Sequence, residues 1–259
     1  MTLRKTLAGL LAAGMLTATP VLAVTAPAEA ATADPVVIVP GLFGNGPGAA
    51  QVGYAYLQAR LVSAGFDVEV FAAPDYGTGD IHANAARLGD FIDDVLAETG
   101  AAKVDLVAHS QGGVMARDYV KTLGGDAKVD SLVMYGTPNY GTQVASLATQ
   151  WGGGSCFAIV GCAQQAIGSS YLTALNAGDD TIGAVRYTAI ATEYDSVTTP
   201  YENAFLNAGD GNITNVTVQS QCAAWRWADH FSITYDAVVV DGVVDALKGG
   251  PVQMNCFAF

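Results

Sequence analysis

A serine set among small residues is the feature of this sequence that most directly suggests chemistry. The pentapeptide A-H-S-Q-G at 108–112 follows an apolar run, 104–107, and precedes residues with helical spacing. A strand that ends at a serine, with a helix directly after it, is typical of a nucleophile elbow, whose sharp bend lifts the hydroxyl above a sheet. Strand and helix pass very close there, so small residues are needed two positions before and after the serine, where Ala108 and Gly112 stand. The motif predicts Ser110 as a nucleophile, with a helix-capping serine as the alternative.

A serine hydroxyl needs a general base, and the sequence contains only three histidines. In hydrolases built on such an elbow, the partners follow in the chain order serine, acid, histidine. That order selects His230 as the base. His82 precedes the elbow and is predicted to be a surface or capping residue, whereas His109 adjoins Ser110, should point away from it and is predicted to pack beneath the elbow.

The acid that orients the histidine should follow the strand that resumes after residue 184. Asp195 falls in the turn after that strand and is the predicted acid. Glu193 is the alternative, still within the predicted strand. Asp229 neighbours His230, but adjacent side chains diverge.

Two backbone N–H groups should stabilise the oxyanion of the reaction. Gln111 follows the nucleophile at a helix N-terminus and is predicted to supply one of them. The loop after the first predicted strand should supply the other, from Leu42, with Phe43 as the second choice.

Strands and helices alternate along the chain in a pattern that predicts a parallel α/β sheet. Continuous apolar runs indicate strands buried on both faces, and apolar residues at three- and four-residue steps indicate helices. The predicted strands are 36–39, 68–71, 104–108, 132–135, 185–190 and 212–218, and the predicted helices are 54–64, 81–96, 114–123 and 235–247. Residues 138–184 lack this rhythm, and an insertion of that length suggests a lid or cap.

Four cysteines suggest two disulfides in an exported protein, and the most local of the three pairings is Cys156–Cys162 with Cys222–Cys256. The apolar stretch 157–161 would form a small disulfide-closed hairpin, either presented to a lipid or polyester surface or packed into the core.

Aromatic residues flank His230. Trp225, Trp227 and Phe231 are candidate walls of an acyl pocket, with buried packing residues as the alternative.

The first thirty residues have the pattern of a secretory signal peptide. Arg4 and Lys5 precede the apolar run 7–18, and an A-x-A site ends at Ala30, with a cut after Ala23 as the alternative. The run is too short to span a bilayer, and no later segment predicts a membrane anchor. We therefore expect an extracellular protein with one catalytic domain at 31–259.

Composition excludes several function classes. Eleven basic residues against 24 acidic ones give a net charge of -13, which disfavours binding to nucleic acids. Zinc-binding spacings and a P-loop motif are absent from the sequence. Residues 44–49 fit a dinucleotide-binding pattern with Glu69 downstream, but Pro40 to Phe43 separates them from the strand. Two Asn-x-Thr matches, at Asn212 and Asn215, overlap a predicted strand and are interpreted as chance.

Several motifs together resemble secreted bacterial lipases and esterases of the α/β-hydrolase superfamily, of the class 2 lipase type with an A-x-S-x-G elbow. The segments that carry the resemblance are 39–44, 108–113, 136–142, 194–195 with 198–200, and 229–230. Pro40 departs from the His-Gly of many lipase oxyanion loops, and the 138–184 insertion has no counterpart.

The resemblance implies an α/β-hydrolase fold and hydrolysis of carboxylic esters by a triacylglycerol lipase or lipase-like esterase. It implies Ser110, Asp195 and His230 as the triad and Leu42 and Gln111 as the oxyanion donors. We expect no metal, no cofactor and a monomer. A polyester depolymerase or an acyltransferase would use the same residues, and a non-catalytic binding module is the alternative of a different class.

Overall fold

The computed structural model describes residues 34–207, 209 and 211–258. The predicted signal peptide, 1–30, lies outside the described residues. The strands are β1 Val36–Val39, β2 Val68–Val70, β3 Val104–His109, β4 Val129–Tyr135, β5 Arg186–Ala191 and β6 Asn212–Thr217. The helices are α1 Ala49–Gly53, α2 Ala55–Ser63, α3 Ile81–Thr99, α4 Gln111–Thr122, α5 Gln143–Trp151, α6 Val160–Gln164, α7 Ser170–Leu175, α8 Val218–Cys222 and α9 Ala237–Leu247.

The strands form one parallel sheet in the order β2-β1-β3-β4-β5-β6. Parallel pairing requires long crossovers, and these pass through helices except between β5 and β6, where the connection contains a 3-10 turn at Tyr201–Ala204. β3, which leads into Ser110, lies inside the sheet between β1 and β4. The predicted α/β-hydrolase fold, with a parallel sheet flanked by helices, is confirmed.

Helices cover both faces of the sheet, which is why its central strands are largely apolar. In β1, Val37 and Val39 pack into a core shared with α3 and α4, and Ile38 packs on the opposite face into a core shared with α2 and α9. The period of two along the strand thus divides its side chains between two hydrophobic cores.

The insertion 138–184 contains α5, α6 and α7, none of which the sequence pattern predicts. It is bonded to the body of the domain through Gln164, whose side chain accepts from Ile81 N–H at 2.8 Å and donates to Asp80 at 2.7 Å. Gly161 N–H also donates to the carbonyl of Thr78 at 3.1 Å. The insertion is therefore anchored to the start of α3.

The stretch between Cys156 and Cys162 is not a hairpin, so that expectation is wrong. Cys156–Ala158 forms a 3-10 turn that leads into α6. Within the stretch, Phe157 is exposed and Ile159 is half-buried. In so short a loop, the backbone forms local helical hydrogen bonds and not the strand pairing of a hairpin.

None of the helices in the described part of the chain combines the length and the apolar composition that a membrane crossing needs.

Candidate active site

Ser110 occupies a bend between β3 and α4. Its backbone has φ 53° and ψ −129°, a conformation that residues with a side chain rarely adopt. The bend brings the first turn of α4 against the end of β1: a Cβ at Gly112 would lie 2.2 Å from the carbonyl oxygen of Val39. The need for a small residue at position 112 follows from this close approach.

Three side chains from distant segments meet at this bend. His230 Nε2 lies 2.9 Å from Ser110 Oγ, and His230 Nδ1 lies 3.0 and 3.1 Å from the two carboxylate oxygens of Asp195. All three residues are buried, with exposed fractions of 8% or less. Ser110 follows β3, Asp195 follows β5 and His230 lies between α8 and α9. This arrangement has the geometry that a serine nucleophile, a histidine base and an orienting carboxylate need.

The alternative acids point elsewhere. Glu193 is exposed and lies beyond the end of β5, so its predicted place within the strand is wrong. Asp229 accepts the backbone N–H groups of Phe231 and Ser232 at 3.1 and 2.7 Å. Hydrogen bonding with Ser232 holds the pKa of Asp229 below its usual range, so this carboxylate acts as a local turn cap.

The loop after β1 lies directly against the serine. A Cβ at Gly41 would lie 2.8 Å from Ser110 Cβ, so the loop approaches more closely than a larger residue allows. Phe43 N–H donates to the carbonyl of Tyr76 at 2.9 Å, whereas Leu42 N–H has no acceptor within the described residues. Gln111 is the first residue of α4, where backbone N–H groups have no partner in the helix. Leu42 and Gln111 thus leave two donors free beside Ser110.

A cavity of about 190 Å³ opens at the serine and the histidine. Its other lining residues are mostly apolar: Leu42, Phe43, Thr142, Val144, Ala145, Cys162, Gln165, Val197 and Phe231. Phe231 therefore lines the cavity, as predicted. Trp225 and Trp227 are 68% and 61% exposed and do not line it.

Comparison with known proteins assigns this chain to a family. The model of the lipase (class 2) family matches residues 33–234. The chain belongs to the class 2 lipase family. The resemblance to class 2 bacterial lipases that was predicted from the sequence motifs is therefore confirmed.

Two curated relatives are triacylglycerol lipases. One, from Burkholderia plantarii, is 38% identical over 136 residues, which cover 52% of this chain and 37% of the relative. The other, from Pseudarthrobacter phenanthrenivorans, is 38% identical over 118 residues, which cover 45% of this chain and 36% of the relative. The matched part spans little more than a third of each relative's length.

Solved structures share the fold of this class 2 family member. Aspergillus fumigatus lipase B has a TM-score of 0.72 and 21% identity, over 86% of this chain and 55% of its own. Bacillus licheniformis lipase BlEst2 in its propeptide form has a TM-score of 0.67 and 19% identity, over 88% of this chain and 53% of its own.

Two histidines of this lipase-family chain do not contact Ser110 through a hydrogen bond. His109 is buried, and burial lowers its pKa well below the usual value. It contacts Tyr54 and the backbone of His230. Sequence reasoning predicted only that His109 packs beneath the elbow and did not identify these two partners. His82 is half exposed and bonds to Asp118 at 3.0 Å.

Both disulfides take the local pairing. Cys156–Cys162 closes a loop of the insertion, and Cys162 lines the cavity at the serine. Cys222–Cys256 joins the end of α8 to the C-terminal segment.

Proposed function

We propose that this protein is a secreted carboxylic-ester hydrolase, a triacylglycerol lipase or lipase-like esterase, that works through Ser110, His230 and Asp195. The observation that carries the proposal is the continuous contact from Ser110 Oγ to His230 Nε2 at 2.9 Å and from His230 Nδ1 to Asp195 at 3.0 Å. The names of both curated relatives support the substrate class, since both are triacylglycerol lipases.

The reaction follows from this arrangement. His230 Nε2 takes the hydroxyl proton as Ser110 Oγ bonds to the ester carbonyl carbon, and Asp195 stabilises the resulting imidazolium. The backbone N–H groups of Leu42 and Gln111 hold the oxyanion, each worth about 3 kcal/mol of transition-state stabilisation. His230 then returns the proton to the leaving alcohol, which breaks the ester bond and leaves an acyl-enzyme. Water, deprotonated by His230, releases the acid and restores the serine.

We propose export through residues 1–30 and a catalytic domain at 31–259. The two disulfides support export, because such bonds persist in oxidising compartments outside the cytosol.

An exposed apolar face beside the cavity favours a lipid surface as the site of action. Val144, Leu147 and Trp151 are spaced three and four residues apart on α5, so they share one helix face, and they are 44%, 46% and 73% exposed. Val144 also lines the cavity, so the face begins at its mouth. Phe157, 65% exposed, lies in the 3-10 turn that packs against α5. Apolar side chains placed in this way can enter an acyl phase while the ester reaches the serine.

Covalent labelling tests the nucleophile. We expect a fluorophosphonate to label the wild-type protein once and to leave Ser110→Ala unlabelled and inactive on p-nitrophenyl esters, because only the activated serine attacks phosphorus. Ser63→Ala, an exposed serine on α2, is the matched control and should label like the wild type. Intact-mass measurement detects the added label in the wild type and in each variant. Labelling of Ser110→Ala would reject the proposed nucleophile.

Replacing Phe157 tests the surface. We expect Phe157→Asp to lower the rate on emulsified triacylglycerol about ten-fold, since transfer of such a side chain into an apolar phase is worth about 1.5–3 kcal/mol. Its rate on a dissolved p-nitrophenyl ester should be unchanged. Val62→Asp replaces an exposed valine on α2 and is the control. Equal losses on the two substrates would reject a surface role for this face.

A further inference from the structure

A chain of hydrogen bonds runs beneath the serine, between two loops of the site. Gly41 N–H donates to Tyr54 Oη at 3.0 Å, and Tyr54 Oη lies 2.8 Å from His109 Nδ1. His109 Nε2 lies 3.0 Å from the carbonyl oxygen of His230. Gly41 directly precedes Leu42, so the chain joins the loop of the proposed oxyanion donor to the backbone of the proposed base.

The two ends of this chain fix the position of every proton within it. The Gly41 amide only donates and the His230 carbonyl only accepts. His109 must carry its proton on Nε2 to bond to that carbonyl, so in the neutral ring Nδ1 is an acceptor. The Tyr54 hydroxyl therefore donates to His109 Nδ1, while its oxygen accepts from Gly41. One tautomer satisfies all three bonds.

Burial keeps the side chains of this hydrogen-bond chain neutral and away from bulk solvent. Tyr54 and His109 are 4% and 6% exposed, and loss of hydration lowers the pKa of His109 well below its usual value. The pKa of Tyr54 is raised for the same reason. Neither side chain offers a charge to the reaction, which leaves geometry as their contribution.

We propose that Tyr54 and His109 are positioning residues that hold the oxyanion loop and the base in register with Ser110. The proposal rests on the proposed function, because register matters only if these loops act on one substrate. Neither side chain is hydrogen-bonded to the reacting atoms: His109 bonds to the backbone of His230 and its ring lies 4.9 Å from the His230 ring between centroids, while the His230 ring bonds to Ser110. A single network would then set both the oxyanion donor and the base.

Two tyrosines allow a matched test. Tyr54→Phe removes the central hydroxyl of the chain. Tyr135→Phe removes a buried hydroxyl that has no partner within the described residues, from a ring stacked on His109 at 5.0 Å between centroids. We expect kcat on a soluble ester to fall on the order of 10- to 100-fold in Tyr54→Phe, since small misplacements of reacting groups have effects of this size. KM should stay within about two-fold, because substrate contacts are unchanged. Tyr135→Phe should match the wild type.

Rescue at position 109 separates hydrogen bonding from packing. His109→Gln keeps one donor and one acceptor, whereas His109→Leu keeps neither. We expect kcat to decrease in the order wild type, His109→Gln, His109→Leu. Thermal unfolding of each variant measures its stability, so that a loss of kcat can be separated from a loss of folded protein. Equal kcat in the two variants would overturn the proposal.

Nitrogen NMR of the three histidines tests the hydrogen-bond chain without measuring activity, because it reports which imidazole nitrogen carries the proton. We expect His109 to carry its proton on Nε2 in the wild type, and its Nδ1 resonance to move in Tyr54→Phe but not in Tyr135→Phe. A proton on Nδ1, or equal kcat in the two tyrosine variants, would overturn the proposal. A wild-type protein that hydrolyses no ester would instead reject the proposed function, and the NMR result would still decide the hydrogen-bond chain.

Discussion

The carboxylate of Asp195 is fixed in place independently of His230. Its Oδ1 accepts the backbone N–H groups of Val197 and Thr198 at 2.9 and 2.6 Å, so the turn after β5 orients the acid. His230 Nδ1 is therefore held by a carboxylate that has little freedom to turn.

Because the turn holds the side chain in place, replacing Asp195 by the similarly shaped but uncharged asparagine tests the role of its charge. We expect Asp195→Asn to lower kcat roughly 10⁴-fold, because an amide neither stabilises the imidazolium nor fixes the needed tautomer. Glu193→Gln removes an exposed carboxylate two residues away and is the control. Steady-state kinetics on a soluble ester measures both, and similar losses in the two variants would contradict the assignment of the acid.

Sequence reasoning selected Ser110, Asp195 and His230, whose side chains the fold brings into contact, because each is marked by a signal: an elbow motif, chain order and the end of a strand. The contacts of His109 with Tyr54 and His230 carry no such signal, since they join residues 55 and 121 positions apart. Only the folded chain brings these groups together.

At the scale of elements, β3 buries a carboxyl group near its start. Asp105 is 4% exposed, and burial raises its pKa to about 7, with Asp130 and Asp34 raising it further and Arg186 opposing the shift. Because the folded-state pKa exceeds the ordinary value, the stability from this group is full below pH 4 and is lost as the pH rises through 7.

We expect Asp105→Asn to match the wild type in unfolding free energy below pH 4, where both states of the wild type hold the proton, and to exceed it by about 1–4 kcal/mol at pH 8. Urea unfolding across this range measures the difference. Glu69→Gln, an exposed carboxylate on β2, is the control. A gap between wild type and Asp105→Asn that does not widen with pH would show that the Asp105 carboxyl does not penalise folding.

The elements themselves were predictable to different extents. The inner strands β1, β3 and β4 were predictable because burial on both faces makes them largely apolar, although β4 begins at Val129, where the polar Asp130 and Ser131 interrupt the pattern. The edge strand β6 is mostly exposed. Helices α5 to α7 were not predicted, since they are short and lie in sequence rich in Gly, Ser and Ala. Their stability comes from contacts such as those of Gln164, which no local period reveals.

At the scale of the whole molecule, the two disulfides close loops of very different length. Cys222 and Cys256 are 34 residues apart and Cys156 and Cys162 only 6. A longer closed loop removes more entropy from the unfolded chain.

We expect Cys222→Ala/Cys256→Ala to lower the unfolding free energy by about 4 kcal/mol and Cys156→Ala/Cys162→Ala by about 2 kcal/mol. Denaturant unfolding of the oxidised proteins measures each loss, and each double variant serves as the control for the other. The opposite order would mean that native packing around the short loop outweighs chain entropy.

The bend at Ser110 sets stability against activity at a single position. A positive φ of 53° costs a residue with a side chain about 1–3 kcal/mol, and glycine is the residue that adopts it with least strain. Ser110→Gly would relieve this strain and abolish the nucleophile. Under the proposed function, selection for a more stable fold alone would therefore favour an inactive protein, and only continued selection for ester hydrolysis would keep a serine there.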